Sequence, residues 1–288
     1  MRKSILITFF FFILSLGFLA LTLSNVDSYN PNKGSVIPTV LSKFTSTNDS
    51  FNAFNKLISK IEQEQGIYSI YIKNLNDSRN YTYNSTNIYY AASLYKLPIG
   101  VAALKQIQEG KLSLDTKMQY LPRHYADGTG IINQSTYGTE YTVDQVLNAL
   151  YKHSDNVAQE MLLDLLDVDS KNVSNAFPSQ GTTDYYHLNK SSAKEIGDYL
   201  GYIFTSNYLT DKSKTYLINV MKDTEFDYLL ADTLNSPFSN KIGLYGGIIH
   251  DCGYIASSNL VVCLMSENTD PATFTKVGTY LADFLNSF

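Results

Sequence analysis

The stretch AASLYKLPIG, residues 91–100, lies where predicted strands give way to predicted helices. Ser93 and Lys96 stand three places apart there, at the start of a segment with the apolar spacing of an amphipathic helix. If Ser93 opens that helix, one turn places the Lys96 side chain beside its hydroxyl. The same S-x-x-K spacing recurs at Ser191 and Lys194, so the pattern by itself favours an ordinary helix start.

Two further motifs change this interpretation. S-D-N occurs at Ser154–Asn156, in a predicted loop between two apolar helices, and K-I-G occurs at Lys241–Gly243, at the start of a predicted strand. A nucleophile motif, then S-D-N, then a lysine-glycine motif on a strand is the order found in penicillin-interacting serine enzymes. Together with EGKLSLDTKM (109–118) and GTGII (128–132), these motifs resemble the class A β-lactamase and penicillin-binding-protein superfamily. The resemblance covers about residues 46–288.

The predicted elements give the fold class. A helix over 51–66 precedes a strand hairpin, helices and loops fill residues 113–207, and strands over 241–255 and 260–267 precede a final helix. Helix, strands, helical insert, strands and helix predict an α+β domain. We expect an antiparallel sheet flanked by helices plus an all-helical lobe, which is the serine β-lactamase/D,D-peptidase-like fold that the resemblance implies.

The resemblance also implies roles for the site residues. A serine hydroxyl is a poor nucleophile until a base takes its proton, and a desolvated lysine one helical turn away can be that base. The implied catalytic residues are Ser93 as nucleophile, Lys96 as general base, Ser154 as proton shuttle and Lys241 across the cleft. The implied substrate-binding residues are Asn156, Gly243, Leu244 and His250, with the backbone N–H groups of Ser93 and Leu244 as the oxyanion hole. Asp155 is expected to brace its own loop.

The sequence departs from the family at the deacylation base. Class A β-lactamases carry a glutamate in the long loop between S-D-N and a later helix. The corresponding region here, residues 168–195, contains no Glu before Glu195. Aligning HLN (187–189) with the end of the family's E-x-x-L-N motif puts Tyr185 at the glutamate position. Asp184 is then the nearby carboxylate with a claim to the role, and a solvated loop aspartate is the alternative.

Substrate recognition departs from the family as well. Ile242 replaces the usual threonine or serine, so it cannot donate a hydrogen bond to a substrate carboxylate, and we expect it to add bulk at the mouth of the site. His250 falls near the place where lactamases often present a carboxylate-binding arginine. A protonated histidine could substitute for that arginine, and a strand histidine bonded locally is the equal alternative.

The N-terminus predicts export. Arg2 and Lys3 precede an uncharged apolar run over 5–23, so residues 1–23 are interpreted as a signal peptide or an N-terminal membrane anchor, and both remain open. Residues 24–45 are interpreted as a linker, and residues 46–288 as an extracytoplasmic domain. The membrane is expected to be contacted through the N-terminal segment alone.

Composition excludes some partners. A net charge of −5 without a clustered basic face argues against nucleic-acid binding. The histidines and cysteines lack zinc-type spacing, so no metal and no cofactor are expected. Cys252 and Cys263 flank a predicted hairpin that places them opposite each other, as a disulfide or, slightly favoured, as two buried thiols. We expect a monomer that acts on a small-molecule substrate, a β-lactam or a cell-wall peptide.

Three classes of function follow. The first is a serine acyl-transfer hydrolase that acts on β-lactams through a Ser93 acyl-enzyme, with a D,D-peptidase-like or penicillin-binding protein of slow deacylation as its alternative. The second is a non-hydrolysing sensor of cell-wall peptide. The third is a relative that kept the fold and lost catalysis, for which Ile242 is the main argument.

Overall fold

Segments rich in β-branched and aromatic residues form the central sheet. The computed structural model describes residues 48–77, 79–166 and 189–286. Antiparallel strands build the sheet in the order β2-β1-β9-β8-β7. These strands are β1 (Ile67–Asn74), β2 (Asn80–Tyr83), β7 (Ser239–Tyr245), β8 (Ile248–Ile255) and β9 (Leu260–Glu267). The predicted antiparallel sheet is thus confirmed.

Short strand pairs lie outside this sheet. They are β3 (Tyr89–Tyr90) with β6 (Lys190–Ser191), and β4 (Lys117–Gln119) with β5 (Glu140–Thr142). The β4–β5 ribbon lies inside the predicted helical lobe, so the expectation of an all-helical lobe was wrong in this detail. In these two strands only Met118, Tyr141 and Thr142 are partly buried, and such short polar strands carry little hydrophobic signal in the sequence.

Helices cover both faces of the sheet and build the lobe. The helices in the described ranges are α1 (Asn48–Ile61), α2 (Lys96–Gln108), α3 (Val143–Lys152), α4 (Asn156–Leu165), α5 (Ala193–Thr205), α6 (Asp211–Val220) and α7 (Pro271–Leu285). α1 and α7 pack together on one face, where the rings of Phe54, Tyr81 and Phe284 meet at 5.2–5.3 Å between centroids. α5 packs on the opposite face, against β1, β8 and β9. Because both faces are covered, the central strands β1, β8 and β9 are buried along most of their length.

Two apolar clusters result. One lies between the sheet, α1 and α7, and includes Ile242 and Phe274. The other joins the opposite face of the sheet to α5 and to the lobe helices α2, α3, α4 and α6. The described residues belong to one compact unit. Within them, no helix is long and apolar enough to cross a membrane, and the predicted segment 5–23 lies outside the described ranges.

Some predicted boundaries moved. The first helix ends at Ile61, not at Gly66, whose φ of 124° belongs to the turn into β1. The second arm of the predicted strand hairpin is short: β2 ends at Tyr83, and Tyr89 and Tyr90 lie outside the sheet, paired with β6.

The cysteine pairing register was predicted correctly: Cys252 stands directly opposite Cys263 across β8 and β9. Both thiols are free and buried. Burial, followed by the neighbouring Cys263, raises the pKa of the Cys252 thiol. A buried thiol that stays protonated is a weak nucleophile and packs as a small apolar side chain.

Candidate active site

Ser93 lies in a 3-10 turn, Ala92–Tyr95, and the α-helix α2 starts only at Lys96. The expectation that Ser93 itself opens the α-helix was therefore wrong by one turn. Ala92 has a φ of 50°, in the left-handed region that residues other than glycine rarely adopt. Strand β7 packs closely on this turn, since a Cβ atom on Gly243 would lie 2.6 Å from the carbonyl oxygen of Ala91. The turn is held in a strained conformation, as is common at functional sites.

The Lys96 side chain reaches the Ser93 hydroxyl, with 3.1 Å between Nζ and Oγ. The same Nζ contacts the carbonyl oxygen of Ser154 and Oδ1 of Asn156, and lies 3.3 Å from Oγ of Ser154. Lys96 is 1% exposed. Burial lowers the pKa of its ammonium group to about 7, against the opposing charges of Asp155 and Glu160. A lysine with this pKa is substantially neutral at physiological pH.

Asp155 fixes the S-D-N loop. Its carboxylate accepts hydrogen bonds from the backbone N–H groups of Ala158 at 2.9 Å, Ile131 at 2.7 Å and Ile132 at 2.9 Å. It therefore caps α4 and ties the loop to the G-T-G-I-I segment. Ser154, next to it, has a φ of 48°, so this loop is also held in a left-handed conformation.

Asn156 is held at both ends of its amide. Oδ1 meets the ammonium group of Lys96, and Nδ2 donates to the carbonyl oxygen of Asp127. A Cβ atom on Gly128 would come within 2.6 Å of that Nδ2 atom. The glycine thus leaves room for the amide beside the cleft.

Lys241 joins the sheet to the lobe. Its Nζ donates to Oγ of Ser154 at 2.8 Å and to the carbonyl oxygen of Ile242 at 3.1 Å. Burial, and then the charge of Lys96, lower its pKa well below the usual lysine value. Ser93, Lys96, Ser154 and Lys241 form a continuous chain of polar contacts. Within the described ranges, no carboxylate touches either ammonium group.

Ile242 does not add bulk at the mouth of the site, so this expectation was wrong. Side chains alternate along a strand, and Lys241 and Gly243 face the cleft. Ile242 faces the other way, is 3% exposed, and packs in the apolar cluster under α7. The family's hydroxyl is still missing at this position, because isoleucine has none.

His250 is bonded locally, so its assignment as a substrate-binding residue is corrected. The side chain is fully buried; Nδ1 accepts from the backbone N–H of Ser266 at 3.2 Å, and Nε2 lies 3.0 Å from the carbonyl oxygen of Tyr90. Nε2 is therefore the protonated nitrogen of a neutral ring. Burial lowers its pKa to about 4. Both nitrogens are occupied, which leaves none for a substrate carboxylate.

Gly243 and Leu244 follow Lys241 on β7, beside the Ser93 turn. Leu244 is partly buried and pairs with Ile249 on β8. Gly243 lies close to the turn, since an added Cβ atom would also come within 3.4 Å of Cβ of Ala92. The strand therefore runs alongside the turn that carries Ser93.

Asn189 supports the nucleophile turn, and the sequence had not assigned it a role. Its carbonyl oxygen accepts from the N–H of Ala91 at 2.8 Å, and its Nδ2 donates to the carbonyl oxygen of Ala92 at 3.3 Å. The φ of Asn189 is 47°, and asparagine's tolerance of that region is the signal that could have indicated it. Its buried Oδ1 makes no hydrogen bond within the described part of the chain. Asp184 and Tyr185 lie outside the described residues.

The second S-x-x-K match is a helix start, as its sequence favoured. Ser192 caps α5 in a capping box with Glu195. Ser191 donates to Glu195, and Lys194 pairs with Asp198 on the surface. No contact joins this serine to this lysine in the described structure.

Comparison with known proteins finds beta-lactamases and the protein PBP-A. A model of the beta-lactamase enzyme family matches residues 51–284. The beta-lactamase VEB-1 of Pseudomonas aeruginosa is 27% identical over 113 residues, which is 38% of this chain and 38% of that protein. PBP-A is similar in structure, with a TM-score of 0.72 at 20% identity over 82% of this chain and 97% of that one. A beta-lactamase from Sphaerobacter thermophilus gives 0.71 at 16% identity, over 82% and 96%. At these identities the solved structures show a shared fold.

Proposed function

The chain belongs to the beta-lactamase enzyme family, and from that premise we propose that it is a serine hydrolase that acts on β-lactams through an acyl-enzyme on Ser93. One observation carries the proposal. The Nζ atom of Lys96 lies 3.1 Å from Oγ of Ser93 in a buried position where its pKa falls to about 7. A neutral amine at hydrogen-bond distance from a hydroxyl is what general-base activation of a serine requires.

Acylation would begin with proton transfer from the Ser93 hydroxyl to Lys96 as Oγ attacks the lactam carbonyl carbon. The oxyanion that forms is assigned to the backbone N–H groups of Ser93 and Leu244. Removing one such donor typically raises the barrier by about 3 kcal/mol. Asn156 would bind the amide of the substrate, because its Nδ2 group carries a second hydrogen besides the one that it donates to Asp127.

Ser154 would return the proton to the leaving nitrogen. Its Oγ lies 3.3 Å from Nζ of Lys96 and 2.8 Å from Nζ of Lys241, so it bridges the base and the sheet. The proton gained by Lys96 can pass to the Ser154 hydroxyl while that hydroxyl gives its own proton to the nitrogen. The C–N bond then breaks and the acyl group stays on Ser93.

Deacylation divides this proposal from its alternative. A lactamase needs a base that activates water against the acyl-enzyme, and the contacts of Lys96 in the described residues are to hydroxyl, carbonyl and amide groups. Residues 168–195, which correspond to the family's glutamate-bearing loop, contain no Glu before Glu195, and this favours a penicillin-binding or D,D-peptidase-like protein that keeps its acyl group for long. Asp184 remains the proposed base if hydrolysis is efficient. A cell-wall peptide sensor that is acylated once is a further outcome of the same chemistry.

A time course of intact mass after mixing the chain with benzylpenicillin separates these outcomes. Persistent addition of one penicillin mass supports the slow-deacylation alternative. Hydrolysis of penicillin without a lasting adduct supports a β-lactamase. Neither adduct nor hydrolysis would overturn the β-lactam proposal.

The role of Asp184 is tested by Asp184→Ala, with Asp169→Ala in the same segment as the control. If Asp184 activates the deacylating water, its loss slows release of the acyl group while acylation stays intact. Asp169→Ala should change neither step. Equal deacylation rates in both variants would exclude Asp184 as the base.

Export is part of the proposal. We assign residues 1–23 to a signal peptide or anchor and residues 46–288 to a monomeric extracytoplasmic domain, where β-lactams and cell-wall peptides are met. N-terminal sequencing of the protein recovered from its host distinguishes a cleaved signal from a retained anchor.

A further inference from the structure

Two exposed tyrosines stand side by side next to the nucleophile turn. Tyr90 is 40% exposed and Tyr245 is 68% exposed, although aromatic side chains usually bury their rings. Their ring centroids lie 5.3 Å apart with the planes tilted by 59°. The two rings together offer an uncovered aromatic surface. The reaction steps proposed above do not use it.

The backbone places this tyrosine pair on the cleft side of the sheet. Along β7, Tyr245 shares a face with Lys241 and Gly243, because alternate residues of a strand point the same way. Lys241 reaches Ser154 from that face, and Gly243 touches the turn that carries Ser93. Tyr245 therefore continues the same row of side chains beyond the nucleophile.

The backbone of Tyr90 is fixed by contacts with two neighbouring parts of the fold. Its carbonyl oxygen accepts a hydrogen bond from the buried ring of His250, and its strand β3 pairs with β6. Its side chain is left free to meet Tyr245. The buried histidine therefore supports the tyrosine pair through its hydrogen bond to the backbone of Tyr90.

The proposed positions of the leaving group and the acyl group along the cleft indicate which part of a substrate meets these rings. Ser154 and Lys241 stand at the end of the cleft where the leaving nitrogen takes its proton. The acyl portion must then extend from Ser93 in the opposite direction along β7, toward Tyr245. Two residues of strand separate Gly243 from Tyr245, which is a distance of about 7 Å. That distance matches an acyl group with a few bonds between its carbonyl carbon and a ring.

We propose that Tyr90 and Tyr245 form an acyl-side subsite that selects donors carrying an uncharged aromatic ring. The inference rests on the proposed function, since it needs acyl transfer to Ser93. The ring of the donor stacks or packs edge-on against Tyr245, with Tyr90 holding that side chain in place. Aromatic pairs of this kind contribute beyond the area that they bury.

The test compares two penicillins that differ only by one ring: benzylpenicillin, with a phenylacetamido group, and 6-acetamidopenicillanic acid. The second-order rate constant for labelling of the full chain is measured for each by intact mass. We expect the unaltered protein to favour benzylpenicillin on the order of tenfold, since one well-placed aromatic contact is worth that much. Tyr245→Ala should reduce this ratio to near unity, and Tyr245→Phe should keep it.

Tyr202→Ala is the matched control. Tyr202 is 43% exposed on α5, and its ring also contacts a tyrosine, Tyr208, at 5.9 Å. This variant should leave both rate constants unchanged. An unchanged ratio in Tyr245→Ala, with both penicillins still labelling the chain, overturns the subsite alone. If neither penicillin labels the unaltered chain, the proposed function falls and the subsite falls with it.

Discussion

Lys96 is the side chain on which the proposed acylation depends. It is buried without a carboxylate contact among the described residues, and every hydrogen-bond partner of its Nζ belongs to Ser93, Ser154 or Asn156. The sequence predicted its proximity to Ser93 from helical spacing alone. Its contacts with the S-D-N loop come from residues about 60 positions away, so local spacing could not indicate them.

The pH dependence of acylation should report Lys96. Since the pKa of Lys96 is about 7, its neutral fraction falls as the pH drops below 7, and the side chain is mostly neutral above that pH. The second-order rate constant for labelling by benzylpenicillin should therefore rise about tenfold per pH unit below this value and level off above it. Stopped labelling followed by intact mass gives the profile.

Lys194→Ala, in the second S-x-x-K match, should keep the same profile, because this lysine lies on the surface beside Asp198. A rate constant that is flat, or that falls as the pH rises through 7, would be incompatible with a neutral Lys96 acting as the base.

Ile242→Thr tests the corrected position of that side chain. The threonine would restore the family's residue type but would bury its hydroxyl in an apolar cluster, at a cost of about 1–3 kcal/mol in the free energy of unfolding. We expect denaturant unfolding to show that loss, and the rate constant for acylation to stay within about twofold.

Ile249→Thr is the control for this substitution, because Ile249 is 2% exposed in the same cluster on the neighbouring strand. Both variants should lose similar stability. A several-fold faster acylation in Ile242→Thr alone would mean that the side chain at this position does reach the substrate.

At the scale of elements, two loops of the lobe are locked together. Asp155 accepts the N–H groups of Ile131 and Ile132, and the carbonyl oxygen of Ser154 accepts from Thr129 at 2.7 Å. The sequence predicted that Asp155 braces its own loop, and this is confirmed by its cap on α4. Its bonds to the distant G-T-G-I-I segment depend on tertiary packing, which loop chemistry alone does not specify.

Gly130→Ala should disrupt this lock. Gly130 has a φ of 134°, and an added Cβ atom would lie 2.4 Å from Cγ of Asp155. Displacing Asp155 moves Ser154 and Asn156, so we expect acylation to fall by at least about tenfold, together with a loss of several kcal/mol of stability. Labelling kinetics and denaturant unfolding measure the two effects.

Gly138→Ala separates the clash from backbone strain. Gly138 has a φ of 94°, and nothing lies within 4 Å of an added Cβ atom. It should cost only the strain of about 1–2 kcal/mol and leave acylation unchanged. Equal losses of activity in the two variants would show that the contact with Asp155 does not position the site.

The strands were predictable because they are long and bounded by turns. β8 and β9 fall inside the segments that alternation and β-branched content indicated, β7 begins at Ser239, two residues before its predicted segment, and Cys252 meets Cys263 as the turn between them requires. The ribbon of β4 and β5 was missed because strands of three residues leave no periodic signal. The 3-10 turn at Ser93 was missed because it continues directly into α2, and the two helix types have similar sequence preferences.

At the scale of the whole domain, the site is assembled from three distant parts of the chain. Ser93 and Lys96 come from the junction of strand and helix, Ser154 from the lobe, and Lys241 from the sheet. The order of the motifs predicted that these parts belong to one site, through resemblance to a family. The neutral, locally bonded state of His250 was not decided by the sequence, because it depends on Tyr90 and Ser266 packing around the ring.

Locating the penicilloyl group on the chain tests whether Ser93 is the nucleophile. The chain is labelled with benzylpenicillin, digested, and mapped by tandem mass spectrometry, with Ser93→Ala and Ser191→Ala treated in parallel. We expect an adduct on Ser93 that disappears in Ser93→Ala and persists in Ser191→Ala. An adduct on another residue, or labelling that survives Ser93→Ala, would contradict this expectation.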